Sequence, residues 1–321
     1  MKIAIIGAGL AGLTLASRLV EQHDVTVFEK ARGPGGRMST RRAEPFAFDH
    51  GAQYFTAETP EFRSFLDHAS GYDVIARWPD AIDLRQGAKV SSKPKWIAQP
   101  GMNAICKWLA KDVEVRAQTH IARLIEHREG WQIESESGDI LGPFDWVVST
   151  APSVQTAALM PERFAHQETL SQVEMQGCFA LMLGFDTPLD LGWQAIKSDT
   201  DPIGWMAVNS DKPGRNSPSS VLVQSNNAWA QAHLEDSPEQ IQATLLAAAS
   251  ELAGVDLASA THQSLHRWRY ASTPKPAGKP YLIDTDLKLA ACGDWCLGSK
   301  VEAAFLSALA LAEQFQSMTK A

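Results

Sequence analysis

Apolar and polar positions along the chain change period several times, and each change marks an element. Lys2–Ile6 (KIAII) is a short apolar run, long enough for a buried strand, and it stops at Gly7. Leu10, Leu13, Ala16, Leu19 and Val20 then fall at helical spacing, which predicts a helix over 10–20. Residues 24–29 (DVTVFE) read as a second strand ending in an acid. Phe62, Phe65 and Leu66 mark an amphipathic turn or two over 61–67, and 78–95 is polar with several turn residues. Gln99-Pro100-Gly101-Met102 is expected to open a helix to about 111, with Met102, Ile105, Trp108 and Leu109 on its apolar face. Residues 113–115 read as a strand, and 121–125, 131–134 and 146–149 as strands of a meander. Turns are expected near Glu129-Gly130 and Ser137-Gly138.

Further on, 178–185 (CFALMLGF) is a buried strand, with two more at 204–209 and 220–224 around a Pro/Gly/Ser-rich loop. Ser237-Pro238-Glu239 caps a helix running to about 252: proline at the first helical position, an acid in the first turn, then Ile241, Leu245 and Leu246. Strands at 265–271 and 288–292 follow, and a long helix closes the chain. A mixed sheet with covering helices fits the second half.

The three glycines of Gly7-Ala8-Gly9-Leu10-Ala11-Gly12 sit on the first strand-to-helix turn, the context that a dinucleotide fingerprint requires. Gly7 permits the tight turn, Gly9 lets backbone approach a pyrophosphate, and Gly12 lets the helix pack close to the sheet. Unpaired N–H groups and the positive end of the helix dipole then face phosphate charge. Glu29 lies seventeen residues past Gly12, near the expected spacing of roughly 20, where a carboxylate accepts hydrogen bonds from the ribose. It also repels a 2′-phosphate, an argument softened by Lys30 and Arg32 beside it. A valine at Gly9 is expected to block the pyrophosphate.

The 321 residues leave room for one or two domains. The formal net charge of −8 disfavours a nucleic-acid partner, which needs a basic face. The apolar start belongs to the first strand and not to a signal peptide, and 303–312 is too short to span a membrane. Four cysteines do not make a disulfide scaffold, and Cys292 and Cys296 lack the companions of a zinc site. Reduced thiols, a cytoplasmic setting and no metal are expected. Lys89, Lys93 and Lys95 form a basic cluster, read either as a solvated loop or as a guide for an anionic substrate.

Arg32-Gly33-Pro34-Gly35-Gly36-Arg37-Met38-Ser39-Thr40 resembles the second glycine-rich motif of the flavoprotein amine-oxidase superfamily. There the glycines and the arginine lie beside the FAD pyrophosphate; Gly36 allows close approach and Arg37 offers a fork of donors. With Asp49-His50-Gly51-Ala52-Gln53-Tyr54-Phe55-Thr56 the resemblance narrows to the renalase-like branch. In that branch this stretch passes along the isoalloxazine, with Gly51 and Ala52 against the ring, Gln53 able to bond its heteroatoms and Tyr54 beside it. His50 reads as a base or as a structural loop histidine.

The same resemblance puts Val115 over the adenine, with Val113 as its neighbour, and brings Thr150-Ala151-Pro152-Ser153 close to the nucleotide. Leu265-His266-Arg267-Trp268-Arg269-Tyr270-Ala271 is similar to the strand that serves the catalytic face of the flavin. That makes His266 an acid/base or donor to substrate, and Trp268 a wall of the ring or a stacking partner of a bound nicotinamide, unless the strand is an ordinary one with alternating faces. Gly293-Asp294-Trp295 and the following helix resemble the closing motif: Asp294 on the ribityl chain, Val301 and Glu302 at the helix start facing the flavin. No cysteine stands at the position of covalent attachment, so a non-covalent FAD is implied.

The fold implied is α/β: a Rossmann-type FAD-binding domain (glutathione-reductase/amine-oxidase-like) with a second α+β substrate domain on a mixed sheet. Residues 1–57, 99–153 and 283–321 are assigned to the first, 58–98 and 154–282 to the second. The activity implied is oxidation of 2- and 6-dihydro isomers of NAD(P)H to NAD(P)⁺ by hydride transfer to flavin N5, with O2 reduced to H2O2. The partners are then a small-molecule substrate and O2, and the protein a monomer or weak homodimer. Oxidation of small amines remains open, as does a flavin-binding isomerase or interaction module without net redox chemistry.

Overall fold

The structure is a computed structural model and describes residues 1–78, 82–84, 89 and 92–320. Runs buried on both faces pair in parallel, because neither face has to meet water. Lys2–Ile6, Asp24–Phe28, Trp146–Ser149 and Leu289–Ala291 do so in one six-stranded sheet, with the more exposed Glu114–Arg116 as a parallel edge and Leu282–Asp284 as an antiparallel one. The helix Leu10–Leu19 packs on this sheet beside the closing helix Val301–Lys320, and Phe305, Ala308, Leu311 and Phe315 complete the same core.

A second six-stranded sheet runs in the order His262–Lys275, Glu174–Gly184, Ser220–Ser225, Ile203–Val208, Ala195–Lys197, Ile82–Leu84. Its pairs are antiparallel except the last, which is parallel, so the sheet is mixed as expected. Pro238–Ala253 covers it through Ile241, Leu245 and Ala249, capped by Ser237, whose hydroxyl accepts from the Gln240 N–H. Among the described residues no helix is long and apolar enough to cross a membrane.

Three expectations change. The helix expected over about 100–111 is only Ala104–Leu109; residues 99–103 form turns instead, and the Met102 N–H is bound to Asp49. Trp146–Ser149 is not the third strand of the meander. That place belongs to Ile140–Phe144, which Gly142-Pro143 disguises, while the wholly buried Trp146–Ser149 sits between Lys2–Ile6 and Leu289–Ala291. Of the lysine cluster, Lys95 is not in a solvated loop: it begins the strand Lys95–Ala98 and is 2% exposed, while Lys93 pairs with Glu58 at 3.1 Å.

Candidate active site

The sheet order departs in both directions from Lys2–Ile6, and such a switch point opens a crevice beyond the carboxyl ends of the strands. A cavity of about 1680 Å³ lies there. Four of its wall segments follow parallel strands: Ile6 and Gly7, Phe28 and Glu29, Thr150 and Ala151, Gly293 and Asp294. The volume exceeds the roughly 300–1,000 Å³ that encloses one drug-sized ligand, so there is room for a long cofactor and a second molecule.

The glycine turn forms one end. Gly7 (φ +108°) makes the turn that L side chains resist, and Gly9 begins the helix without a side-chain cap. The first intrahelical bond runs from the Leu13 N–H to the Gly9 carbonyl, so the amides before it are open toward Gly9, Leu10 and Ala11 on the wall. Gly12 is off the wall: a Cβ there would lie 2.0 Å from the Gly7 oxygen, whereas one at Gly9 would meet nothing within 4 Å. Ala8 is also buried behind the wall. Its N–H donates to Glu29 Oε2 (2.9 Å) and its carbonyl accepts from the Gly35 N–H (3.0 Å), joining the two glycine-rich loops. The other Glu29 oxygen accepts from the Ala31 N–H (2.7 Å). A carboxylate has about four lone-pair sites, so acceptor capacity is left toward the cavity, where Lys30 stands alongside.

Gly36 and Arg37 continue the wall. Arg37 and Asp294, 257 positions apart, form a two-pronged ion pair: Nη1 to Oδ2 at 2.9 Å and Nη2 to Oδ1. The backbone of Gly51 and Ala52 presses against Arg37, with the Ala52 N–H donating to its carbonyl (2.8 Å). Gln53 reaches the wall, but its side-chain amide is engaged inside the protein. Nε2 donates to the Asp49 and Gly51 carbonyls and Oε1 accepts from Lys212 Nζ at 3.0 Å, so both side-chain donors are spent inside the protein and a donor to a ring heteroatom is left to the backbone N–H. Tyr54 lines the cavity and packs on Trp205 (5.4 Å between ring centres).

His266 and Trp268 lie two apart on His262–Lys275, so they share a face, and both line the cavity. His50 completes the group. Its ring meets His266 edge-on at 4.8 Å and Trp268 at 5.0 Å, and its carbonyl accepts from Trp268 Nε1 at 2.8 Å. His50 is 6% exposed, with Nδ1 unpartnered. Burial, then His266 and Arg41, push His50 down to about 4; burial, then Arg41, push His266 down to about 4. Both rings are therefore neutral at pH 7.

A stability prediction follows with a definite sign. Between about pH 6.5 and 4 the unfolded chain binds protons that the folded protein refuses. Stability is thus complete above pH 6.5 and falls as pH drops toward 4, by on the order of 2–3 kcal/mol for the more buried His50. Melting curves from pH 7.5 to 4.5 should show this slope, and His50→Asn should flatten it. A slope equal to wild type in that variant would remove His50 as the cause.

Two expected residues stand elsewhere. Val115 packs against the core of the first sheet, and the cavity wall near it is made by Thr119, His120, Ile121 and Ala122. Val113 is likewise core. Glu302 does not reach the cavity, although Val301 does. Its carboxylate is buried and accepts from the Glu58 and Thr59 N–H groups and the Thr59 hydroxyl, fixing the start of Pro60–Ser70. An acid at a helix start serves either role, and only the packing distinguishes them. Ala151 is on the wall, its carbonyl held by Trp295 Nε1 (3.0 Å).

The far half of the cavity was not legible beforehand. Gln176, Lys197, Asp199, Asn226 and Asn227 bring a polar rim from three different segments, with Trp205 behind them. None of these stands in a motif.

Residues 5–69 match an NAD(P)-binding Rossmann-like domain family. A 4,4'-diapophytoene desaturase (4,4'-diaponeurosporene-forming) of Staphylococcus aureus (strain Newman) is 52% identical over 87 residues, 27% of this chain and 16% of that protein. The match to the strain MRSA252 enzyme covers 52 residues at the same identity, 16% of this chain and 10% of that one. This chain therefore spans about a sixth or less of the curated relatives it matches. Among solved structures, a protein of Exiguobacterium sp. 255-15, provisionally assigned as a protoporphyrinogen oxidase, superposes with a TM-score of 0.77 at 12% identity, over 98% of both chains. An oxidoreductase from Methanosarcina mazei gives 0.65 at 16% identity, over 98% of this chain and 100% of that one. At such identities the likeness concerns the fold. The match that decides the family runs over residues 80–314, well over half of the sequence and both sides of the cavity: the chain belongs to the flavin containing amine oxidoreductase family.

Proposed function

We propose that this protein is a renalase-like oxidase that converts 2- and 6-dihydro isomers of NAD(P)H, with O2 and a proton, to NAD(P)⁺ and H2O2. The family implies a flavin, and the residues fit FAD. Gly9 leaves open space where a phosphate needs close backbone approach, open helix amides face it, and Glu29 keeps acceptor capacity for ribose hydroxyls. Gly7, Gly9, Leu10, Ala11, Glu29, Lys30, Gly36, Arg37 and Ala151 would hold the nucleotide and pyrophosphate. Gly51, Ala52, Tyr54, Gly293, Asp294 and Val301 would hold the rest. Bound FAD supplies a ring that accepts hydride and passes electrons to O2.

Non-covalent binding is supported by the cysteines. All four are buried, and burial pushes Cys296 up to about 12 and Cys292 well above the ordinary range, so no thiolate is at hand. The two sheets support the division into 1–57, 99–153 and 283–321 against 58–98 and 154–282. With one residue's exception at Leu282, each sheet draws its strands from one set.

The observation that carries the substrate assignment is the wall of His50, His266 and Trp268 facing a polar rim. Trp268 offers a flat face to a flat ring. The neutral imidazoles offer polar contacts without a charge that would oppose the cationic product. Gln176, Asn226, Asn227 and Lys197 suit a polar tail, and no long apolar channel of the kind a hydrocarbon substrate needs is formed by these residues. Amine oxidation has its own observation, the Tyr54–Trp205 aromatic pair on the wall.

Anaerobic mixing separates these readings. Rapid bleaching of the flavin by a dihydro isomer, with H2O2 on admission of air, is expected; bleaching by amines alone would replace the reading with amine oxidation. A yellow protein reduced by none of them would favour a role without net redox chemistry. Trp268→Ala should raise KM for the dihydro isomers by about two- to tenfold while leaving FAD content unchanged, as loss of an aromatic contact of about 0.5–1.5 kcal/mol implies. An unchanged KM would take Trp268 out of the substrate site.

A further inference from the structure

Behind the 49–54 segment lies a charged cluster withdrawn from water. Asp49 and Lys212 are 0% and Arg215 3% exposed at the side chain. Asp49 Oδ2 accepts from Arg215 Nε (3.2 Å) and Nη2 (2.5 Å), and Lys212 Nζ lies 3.7 Å away. Asp49 Oδ1 accepts from the Met102 N–H (2.9 Å) and the Thr40 hydroxyl (2.7 Å). One carboxylate thus meets two cations, and the Asp49–Arg215 pair is complete without Lys212. A buried charge beyond the number needed for pairing is costly, so folding alone does not account for it.

Lys212 is tied to the cavity. Its ammonium donates to Gln53 Oε1, and Gln53 in turn binds the carbonyls of Asp49 (2.6 Å) and Gly51 (3.0 Å). Gln224 also donates to the Gly51 carbonyl and Trp268 to that of His50. The carbonyls of 49, 50 and 51 are therefore all held by side chains. The amides of Gly51, Gln53 and Tyr54 have no acceptor among the described residues, and these three residues line the cavity. Such a segment presents donors, with a positive charge behind them, and favours negative charge in front.

We propose that Lys212 is a positioning residue that makes the cavity prefer the reduced flavin to the oxidised one. It does so by fixing the 49–54 segment through Gln53 and by adding one uncompensated positive charge behind its amides. The inference rests on FAD occupying this cavity.

The test compares wild type with Lys212→Gln, which keeps a donor for Gln53, and Lys212→Met, which fills the space without charge. Apoprotein is titrated with oxidised and, anaerobically, with reduced FAD in excess, so weak binding still gives both constants. The expected result is a roughly tenfold fall in the preference for reduced FAD in both variants, equal to a midpoint potential lower by about 30 mV for two electrons. A preference within twofold of wild type in whichever variant folds would overturn the role of Lys212. Wild-type protein that binds neither form of FAD would overturn the cavity assignment instead.

Discussion

Gly9→Val is expected to yield a folded protein without colour. A Cβ at Gly9 meets no protein atom within 4 Å, and its backbone (φ −78°) suits any residue, so the native structure tolerates the side chain. The branched side chain instead occupies the space in front of the open helix amides, where the pyrophosphate has to approach. Melting temperature should stay within a few degrees of wild type while FAD binding weakens by at least 100-fold. Gly12→Val is the internal control with the opposite phenotype. Its Cβ would lie 2.0 Å from the Gly7 carbonyl oxygen and 2.8 Å from Thr150 Oγ1, so helix and strand must separate. A loss of at least about 3 kcal/mol is expected, at the upper end of overpacking effects. Circular dichroism and the absorbance of released flavin check both. A Gly9→Val protein that purifies with full FAD would mean that the fingerprint does not hold the cofactor.

Asp49→Ala should be the most damaging single change among the charged residues. It leaves Lys212 and Arg215 buried against each other with no anion, and it strips partners from the Met102 N–H and the Thr40 hydroxyl. Removing one member of a buried ion pair costs about 3–5 kcal/mol. Adding Lys212→Met should recover part of that loss, because one of the two stranded charges is gone. Denaturant melts of the single and double variants measure the recovery; strict additivity would show that the two side chains do not share a field. The pH behaviour gives a second check. Burial raises the Asp49 carboxyl, but Lys212, Arg215 and the Met102 N–H outweigh it and hold it below the usual range. Its contribution therefore persists through the histidine window and is lost only below about pH 3.8. Burial also pushes Lys212 down to about 8, against the pull of Asp49. Between about pH 8 and 10.5 the unfolded chain holds a proton that the folded one gives up, so this group makes stability rise with pH there.

The local parts of the fold were legible because their signals are local. A buried run, a glycine turn and a helical period occupy twenty residues at the amino terminus, and each dictates its own backbone whatever lies elsewhere. The capped helix at Pro238–Ala253 is of the same kind. The errors arose where neighbours in sequence are not neighbours in space. Ile140–Phe144 hides behind a Gly-Pro pair, and Trp146–Ser149 follows the meander in sequence but belongs to the parallel sheet. Glu302 stands at a helix start, and nothing in the sequence signals that its carboxylate is spent on the entry to Pro60–Ser70.

The sequence by itself determined the nucleotide turn, the acid after the second strand, the glycine-rich loop and the character of the closing motif. The tertiary structure alone decided that Arg37 pairs with Asp294, that His50 stands against His266 and Trp268, and that Lys212 and Arg215 are buried around Asp49. The physical reason is that hydrogen-bonding geometry along a strand or helix is set within a few residues. Desolvation and charge pairing depend instead on everything that arrives from the rest of the chain, and a lysine in a Pro/Gly-rich loop carries no mark of the side that will face water.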